Sequence, residues 1–360
     1  MEERQFSAAY SLHKSLRVLA PEEFLLSRNY RLPNYQIPNM NGVIIIDKPA
    51  GWTSHDVVNR MRRVLGQRSV GHLGTLDPLA TGVLPLVTGS LTRLAQFYTA
   101  SEKTYEGIIR FGFATNTYDA DGTPVQVGIA ATACADPTPD LSLETIQQLA
   151  EAFHGVIEQV PPPFSAKKIH GVPAYKLARK EKEVILKPVQ VEIKEFVIVS
   201  VHADRAHFRA RVASGTYMRS IAHEMGQRLG CGAHLESLRR TAVAEFDIDQ
   251  AHTIQEIENR SEKKPCHSEP GGKPGEESAA SNQEGKPSLF VHPRQLLPQL
   301  PSVTADEATA ARIRSGRPVN LPELSRARQV KVFHGQRDLI AIATRVAGTL
   351  FHPKIVFPSE

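Results

Sequence analysis

One carboxylate stands apart in this chain of 360 residues. Asp77 lies in the run GHLGTLDPLATG at 71–82, between Leu76 and Pro78, with glycines at 71, 74 and 82 and His72 five residues upstream. An Asp-Pro step is an ordinary turn initiator, and the glycines loosen the backbone around the acid it presents. A carboxylate so placed can serve as a nucleophile or stabilise a developing charge, provided that it is ionised and held still. A partnered arginine achieves both. Arg219, at the start of an expected helix, carries a charge that opposes the helix dipole, and an acidic partner would account for it. Tyr105 opens an expected strand. Metal and disulfide chemistry find no footing, because Cys134, Cys231 and Cys266 are far apart and outside any CxxC spacing. Asp119-Ala120-Asp121-Gly122 opens like a calcium loop, but no acid follows at the required spacing, so it reads as a hairpin-like turn.

The elements that hold these groups follow from pattern. Val43, Ile44, Ile45 and Ile46, closed by Asp47-Lys48-Pro49, form a buried strand that stops in a turn. Thr53 or Ser54 caps a helix in which Val57, Val58, Met61, Val64 and Leu65 share one face. Arg60, Arg62 and Arg63 take the other. The Asp77 segment is then a loop leading into the apolar stretch Val83-Leu84-Pro85-Leu86-Val87. Further strands are expected at 105–113, 191–201 and 208–212. Helices are expected at 143–153 and beyond Tyr217, the latter with Ile221, Ala222, Met225 and Leu229 on one side.

Composition divides the chain. Residues 261–288 hold no Leu, Ile, Val or aromatic residue, yet four Pro, four Gly and nine charges. Such a segment cannot bury enough apolar surface to offset its ordering entropy and reads as a disordered linker. The expected organisation is a poorly ordered extension at 1–40, a catalytic domain at 41–257, a linker at 258–288 and a small β-rich domain at 289–360. That last domain carries ten Lys/Arg against five acids, an excess equal to the +5 of the whole chain. That excess reads equally as a solvated basic surface or as the footprint of a polyanionic partner. Apolar content of 41% and charge of 22% are those of a soluble globular protein. No apolar run approaches the ~18 residues that span a bilayer, and the first 40 residues lack an apolar signal region. A cytoplasmic protein without a membrane partner is expected.

Several segments in order carry a resemblance. They are Asp47-Lys48-Pro49-Ala50-Gly51-Trp52-Thr53-Ser54, the Asp77 run, Lys103-Thr104-Tyr105, Ser214-Gly215-Thr216-Tyr217-Met218-Arg219-Ser220 and Leu238-Arg239-Arg240-Thr241-Ala242-Val243. Across residues 42–246 the chain resembles the TruB family of RNA pseudouridine synthases. The resemblance implies an α+β fold of the pseudouridine synthase type, with a mixed, mostly antiparallel sheet flanked by helices and a small C-terminal β-rich, PUA-like RNA-binding domain. It implies an isomerase that detaches uracil from C1′, turns it and rejoins it through C5, at uridine 55 in the T stem-loop of tRNA. No cofactor, metal or obligatory protein partner is implied.

The same resemblance distributes roles. Asp77, Tyr105 and Arg219 form the catalytic set: the acid reacts, the arginine pairs with it, and the tyrosine stacks on the base and handles the C5 proton. Substrate contacts fall to His72, which fills the gap left by the flipped nucleotide, to Leu238 beside the uracil, and to Tyr217. Lys48 supports the active-site fold. Pro163-Phe164-Ser165-Ala166-Lys167-Lys168 with Tyr175 forms part of the RNA-binding face. Attack of Asp77 on C1′, attack on C6 and assistance to a glycal-forming elimination all stay open. So do two other classes, a guide-RNA-dependent relative and an RNA-folding factor.

Overall fold

β1 (Gly42–Lys48) shows how this chain builds its centre. Val43, Ile44, Ile45 and Ile46 are at most 1% exposed. Ile44 and Ile46 join one apolar cluster, and Val43 and Ile45 join another. Alternate side chains of a strand point to opposite faces, so both faces of β1 are covered. A computed structural model describes residues 41–125, 140–165, 167–169, 171–174, 177, 186–262, 288–323 and 325–358. The expectations for residues 1–40 and for Tyr175 lie outside them.

In chain order the strands are β1, β2 (Val70–His72), β3 (Thr81–Thr88), β4 (Lys103–Phe111), β5 (Ala114–Thr115), β6 (Pro124–Val125), β7 (Gly155–Gln159), β8 (Lys168–Ile169), β9 (Val172–Pro173), β10 (Val189–His202), β11 (Arg205–Val212), β12 (Ala233–Val243), β13 (Phe246–Asp247), β14 (Ser302–Ala305), β15 (Val319–Asn320), β16 (Gln329–His334), β17 (Asp338–Ala347) and β18 (Leu350–Val356). The α-helices are α1 (Ser54–Val64), α2 (Ala95–Tyr98), α3 (Leu143–Glu151), α4 (Met218–Arg228), α5 (Ile254–Glu262) and α6 (Glu307–Arg314). The main sheet runs β1-β3-β12-β4-β11-β10-β7, with β2 on β3 and β13 on β12. Only β3 and β12 pair in parallel within it; the other pairings are antiparallel. The expected α+β class and mostly antiparallel sheet agree with this architecture. β5 and β6 pair across the expected turn at 119–122.

Thr53 caps α1, forming a reciprocal box with Asp56, which leaves Ser54 for another task. α5 reaches Glu262, so 258–262 of the expected linker is helical, and Glu258 pairs with Arg60 of α1 at 2.5 Å. The rest of that linker, 263–287, lies outside the described residues.

The C-terminal strands form a second sheet, β14-β16-β17-β18-β15. One side packs on α6 through Val303, Ala310, Ile313, Val330 and Val332. The other is continuous with the main sheet: Phe333, Leu339, Ile342, Ile355 and Phe357 share a cluster with Val43, Val83, Val87, Leu94 and Phe246. Glu245 adds a polar lock, accepting the Tyr98 hydroxyl at 2.5 Å and the Leu297 N–H at 2.8 Å. The described residues accordingly form one compact unit. The ten basic residues of this region divide in the same way. Lys331 is 2% exposed and donates to the carbonyls of Arg294 and Leu296; Arg345 donates to four carbonyls. Arg312, Arg317, Arg326, Arg328, Arg337 and Lys354 are exposed. No described helix is long and apolar enough to cross a membrane.

Candidate active site

The loop between β2 and β3 carries Asp77, and three side chains from other elements hold it. Ser54 accepts the Leu76 N–H at 2.8 Å and donates to the Leu76 carbonyl at 3.1 Å. Lys48, fully buried at the end of β1, donates to the carbonyls of Trp52 (2.6 Å), Pro49 (2.9 Å) and Pro78 (3.3 Å). Burial pushes its pKa down to about 8, against the opposing pull of Asp77. Arg240, 1% exposed, donates to the carbonyls of Gly74 and Thr75 at 3.2 Å and of Val83 at 2.8 Å. Gly82 is required where the loop re-enters the sheet: φ is +97°, and a Cβ there would lie 2.2 Å from the Arg240 carbonyl.

Asp77 itself meets Arg219. The Arg219 Nε lies 2.9 Å from Asp77 Oδ2, an ion pair whose N–H is not aimed along the line of the two atoms. Arg219 is the second residue of α4, where a cation opposes the dipole. Its remaining bonds explain why it stays. Nη1 reaches Asp119 Oδ2 at 3.5 Å and donates to the Thr117 carbonyl at 3.1 Å, and Nη2 donates to the Phe164 carbonyl at 3.0 Å. The arginine side chain is 6% exposed, Asp119 7% and Asp77 39%. A guanidinium fixed from below thus presents one carboxylate towards solvent.

Asp119 was read from the sequence as part of a turn only. It also accepts from the Thr117 hydroxyl and the Asp121 N–H. Burial raises its pKa above the ordinary carboxylate range, with Thr117 and Arg219 opposing. Tyr118, at φ 66°, stacks on His223 of α4 with ring centroids 3.7 Å apart. The turn is therefore clamped to the helix that carries Arg219. The cue was present in the DADG string, but its partner lies 100 residues away.

The other expected residues gather around this pair. Tyr105 on β4 is 8% exposed and sits opposite Arg240 in the β4–β12 register, where the phenol and the guanidinium interact electrostatically. Leu238, 9% exposed, lies opposite Gly107, on the same face two residues along. Leu76, Tyr105, Met218 and Leu238 belong to one apolar cluster. Tyr217 caps α4, its N–H donating to Gln159 Oε1 at 2.8 Å and its carbonyl accepting from Gln159 Nε2 at 3.1 Å. Burial, then the charge of Asp77, raises the Tyr217 phenol pKa. His72 ends β2 and accepts the Gly74 N–H on Nδ1 at 3.3 Å. Burial, then the charges of Arg240 and His55, lower its pKa. Ser54, Asp119, Gln159 and Arg240 were given no site role from the sequence, although Ser54 and Arg240 stand inside the motifs. Among the described residues no group of His, Cys, Asp or Glu is placed to hold a metal.

Two family models match the chain in succession. The TruB family pseudouridylate synthase N-terminal domain matches residues 62–218, and the tRNA pseudouridylate synthase B C-terminal domain matches residues 219–269. The chain is 45% identical over 321 residues to a tRNA pseudouridine synthase B of Solibacter usitatus, covering 88% of this chain and all of that one. It is 34% identical over 300 residues to that of an Azoarcus species, covering 83% and 90%. Among solved structures, a Cbf5-Nop10-Gar1 complex shares the fold, with a TM-score of 0.60 at 23% identity over 88% of this chain and 85% of that chain.

Proposed function

The chain belongs to the TruB family of pseudouridylate synthases, and from that footing we propose that it converts uridine 55 in the T arm of tRNA into pseudouridine. The relatives named tRNA pseudouridine synthase B support tRNA as the substrate. The observation that carries the chemistry is the asymmetric pair of a buried Arg219 and a half-open Asp77.

The reaction is an isomerisation. The C1′–N1 bond breaks, a C1′–C5 bond forms, C5 gives up its proton and N1 gains one. Asp77, held in place by its ion pair with Arg219, engages the separating sugar or base. Tyr105 stacks on the uracil and takes the C5 proton, with Leu238 packed alongside. The target nucleotide must leave its stack at a cost of about a few kcal/mol, and His72 stands in the space it vacates. Tyr217 lines the substrate side of Asp77, and Lys48 keeps the loop in place. The exposed arginines of the C-terminal domain contact phosphates and supply salt-sensitive affinity.

The test is conversion of naked tRNA by the isolated protein, with modified positions mapped, beside Asp77→Asn. Wild-type protein should modify position 55 unaided, which separates this reading from a guide-RNA-dependent enzyme. Asp77→Asn should bind tRNA as tightly and form no pseudouridine. Modification at another position would overturn the assignment to uridine 55, and turnover by the variant would remove Asp77 from the mechanism.

A further inference from the structure

We propose that Arg240 is the positioning residue of this site, one buried guanidinium that sets the Asp77 loop and the Tyr105 hydroxyl at a fixed distance from each other. The proposal rests on the pseudouridine-synthesis reading above. Its basis is the sheet register: Arg240 on β12 stands opposite Gly82 of β3 on one side and Tyr105 of β4 on the other. β12 thus lies between β4, which carries Tyr105, and β3, into which the Asp77 loop leads. The three nitrogens of its fork then reach outward, Nε to the Val83 carbonyl, Nη1 to Thr75 and Nη2 to Gly74. Thr75 is two residues before Asp77. The same residue faces Tyr105 directly across the β4–β12 pairing, close enough for the phenol and the guanidinium to interact electrostatically.

Two features argue that the fold keeps this charge for the site. First, its hydrogen-bond partners are three carbonyls, with no carboxylate in direct contact, and a buried cation so placed is costly where an apolar side chain would fill the strand. Second, Arg240 is 1% exposed, so it acts through what it holds. A planar five-donor fork can serve three acceptors in fixed directions, whereas a lysine ammonium cannot match that geometry. A cation facing Tyr105 across the strand pair also stabilises negative charge on its oxygen, which disposes that oxygen to take the proton from C5.

The experiment compares Arg240→Lys with wild type in single-turnover conversion of tRNA, with tRNA affinity and the melting midpoint measured alongside. R240K should lose roughly 100-fold in rate, as a displacement of about 1 Å at the reacting groups does, while tRNA affinity stays within about threefold. In a Tyr105→Phe background the same substitution should cost far less, because the phenol it positions is already gone. Arg240→Gln, which still donates to one carbonyl, is the second variant if R240K does not fold, and the same pattern is expected of it. A rate within about threefold of wild type, or an affinity loss that accounts for the whole effect, overturns the proposal. So does an undiminished cost in the Tyr105→Phe background. Failure of wild-type protein to convert uridine would instead overturn the functional reading itself.

Discussion

Arg219→Ala and Arg219→Lys should fail in different ways. The alanine leaves the 7% exposed Asp119 carboxylate without its cation and the carbonyls of Thr117 and Phe164 without a donor. Removing one partner of a buried ion pair costs about 3–5 kcal/mol. Asp77 is 39% exposed, so its share is screened by solvent and left out of that figure. A cooperative unit of this size unfolds with an entropy of about 0.6 kcal/mol/K, so the melting midpoint should fall by about 5–8 °C. The lysine variant keeps a charge near Asp119 and should lose only about 1–2 kcal/mol from the unmade hydrogen bonds. Its single ammonium cannot hold Asp77 and both carbonyls, however, and conversion should drop by about 100-fold.

The pH dependence gives a second check on the same reasoning. Burial raises the Asp119 pKa, and Arg219 is one of the influences that oppose it. Without the arginine the value climbs further. An acid whose folded pKa exceeds its unfolded one favours the folded state at low pH, and that advantage disappears as pH rises through the folded value. The destabilisation of Arg219→Ala should therefore be greatest at neutral pH and shrink on acidification. Thermal melts across that range and single-turnover conversion decide the matter. An unchanged midpoint at neutral pH, or a lysine variant as fast as wild type, would refute the argument.

Three further outcomes are expected. Tyr105→Phe should retain tRNA affinity and lose about 100-fold or more in conversion rate; an unchanged rate would leave the tyrosine a packing role alone. Lys48→Met removes the donors to Pro49, Trp52 and Pro78. Because the folded pKa of Lys48 is about 8 and its ordinary value 10.5, the unfolded chain binds more protons in between, and wild-type stability relative to the variant should rise across that window. A flat difference in denaturant titrations would contradict the burial of that ammonium. Reversing Arg326, Arg328 and Arg337 to Glu should weaken tRNA binding and flatten its salt dependence by about 0.7–0.9 per lost phosphate contact. An unaltered slope would remove the C-terminal domain from phosphate binding. Truncation at 289 is the poorer test, since it would expose Val43, Val83, Val87 and Phe246.

Local signals were readable, and they are local for physical reasons. The β-branched run of β1, the periodicity of α1 and the glycines of the Asp77 loop each follow from what neighbouring residues permit in φ/ψ space and in burial. The expected strand at 105–113 is β4 displaced by two residues, a normal uncertainty of strand ends. β12 was not anticipated as the strand joining the two halves of the sheet. Its segment, AHLESLRRTAV, places Glu236, Arg239 and Arg240 where a strand buried on both faces would show apolar residues. Arg239 pairs with Asp47, and Arg240 is satisfied by carbonyls 157 to 166 residues distant. Nothing adjacent in sequence announces such partners.

The domain organisation illustrates the same limit from the other direction. A segment poor in apolar residues argues that 261–288 builds no core of its own, but composition says nothing about whether the parts on either side share one. β1 looked like a buried strand, and only the coordinates show that Ile44 and Ile46 face one cluster while Val43 and Ile45 face the other, where the C-terminal strands supply Phe333, Ile342 and Phe357. Counting charge had a parallel weakness. The excess of five treats ten cations as equivalent, whereas Arg294, Lys331 and Arg345 are bound to backbone carbonyls and Arg314 to Asp338. Those side chains hold the domain together, so any affinity for a polyanion has to come from the six that remain exposed, and mutations chosen by charge alone would confuse unfolding with lost binding.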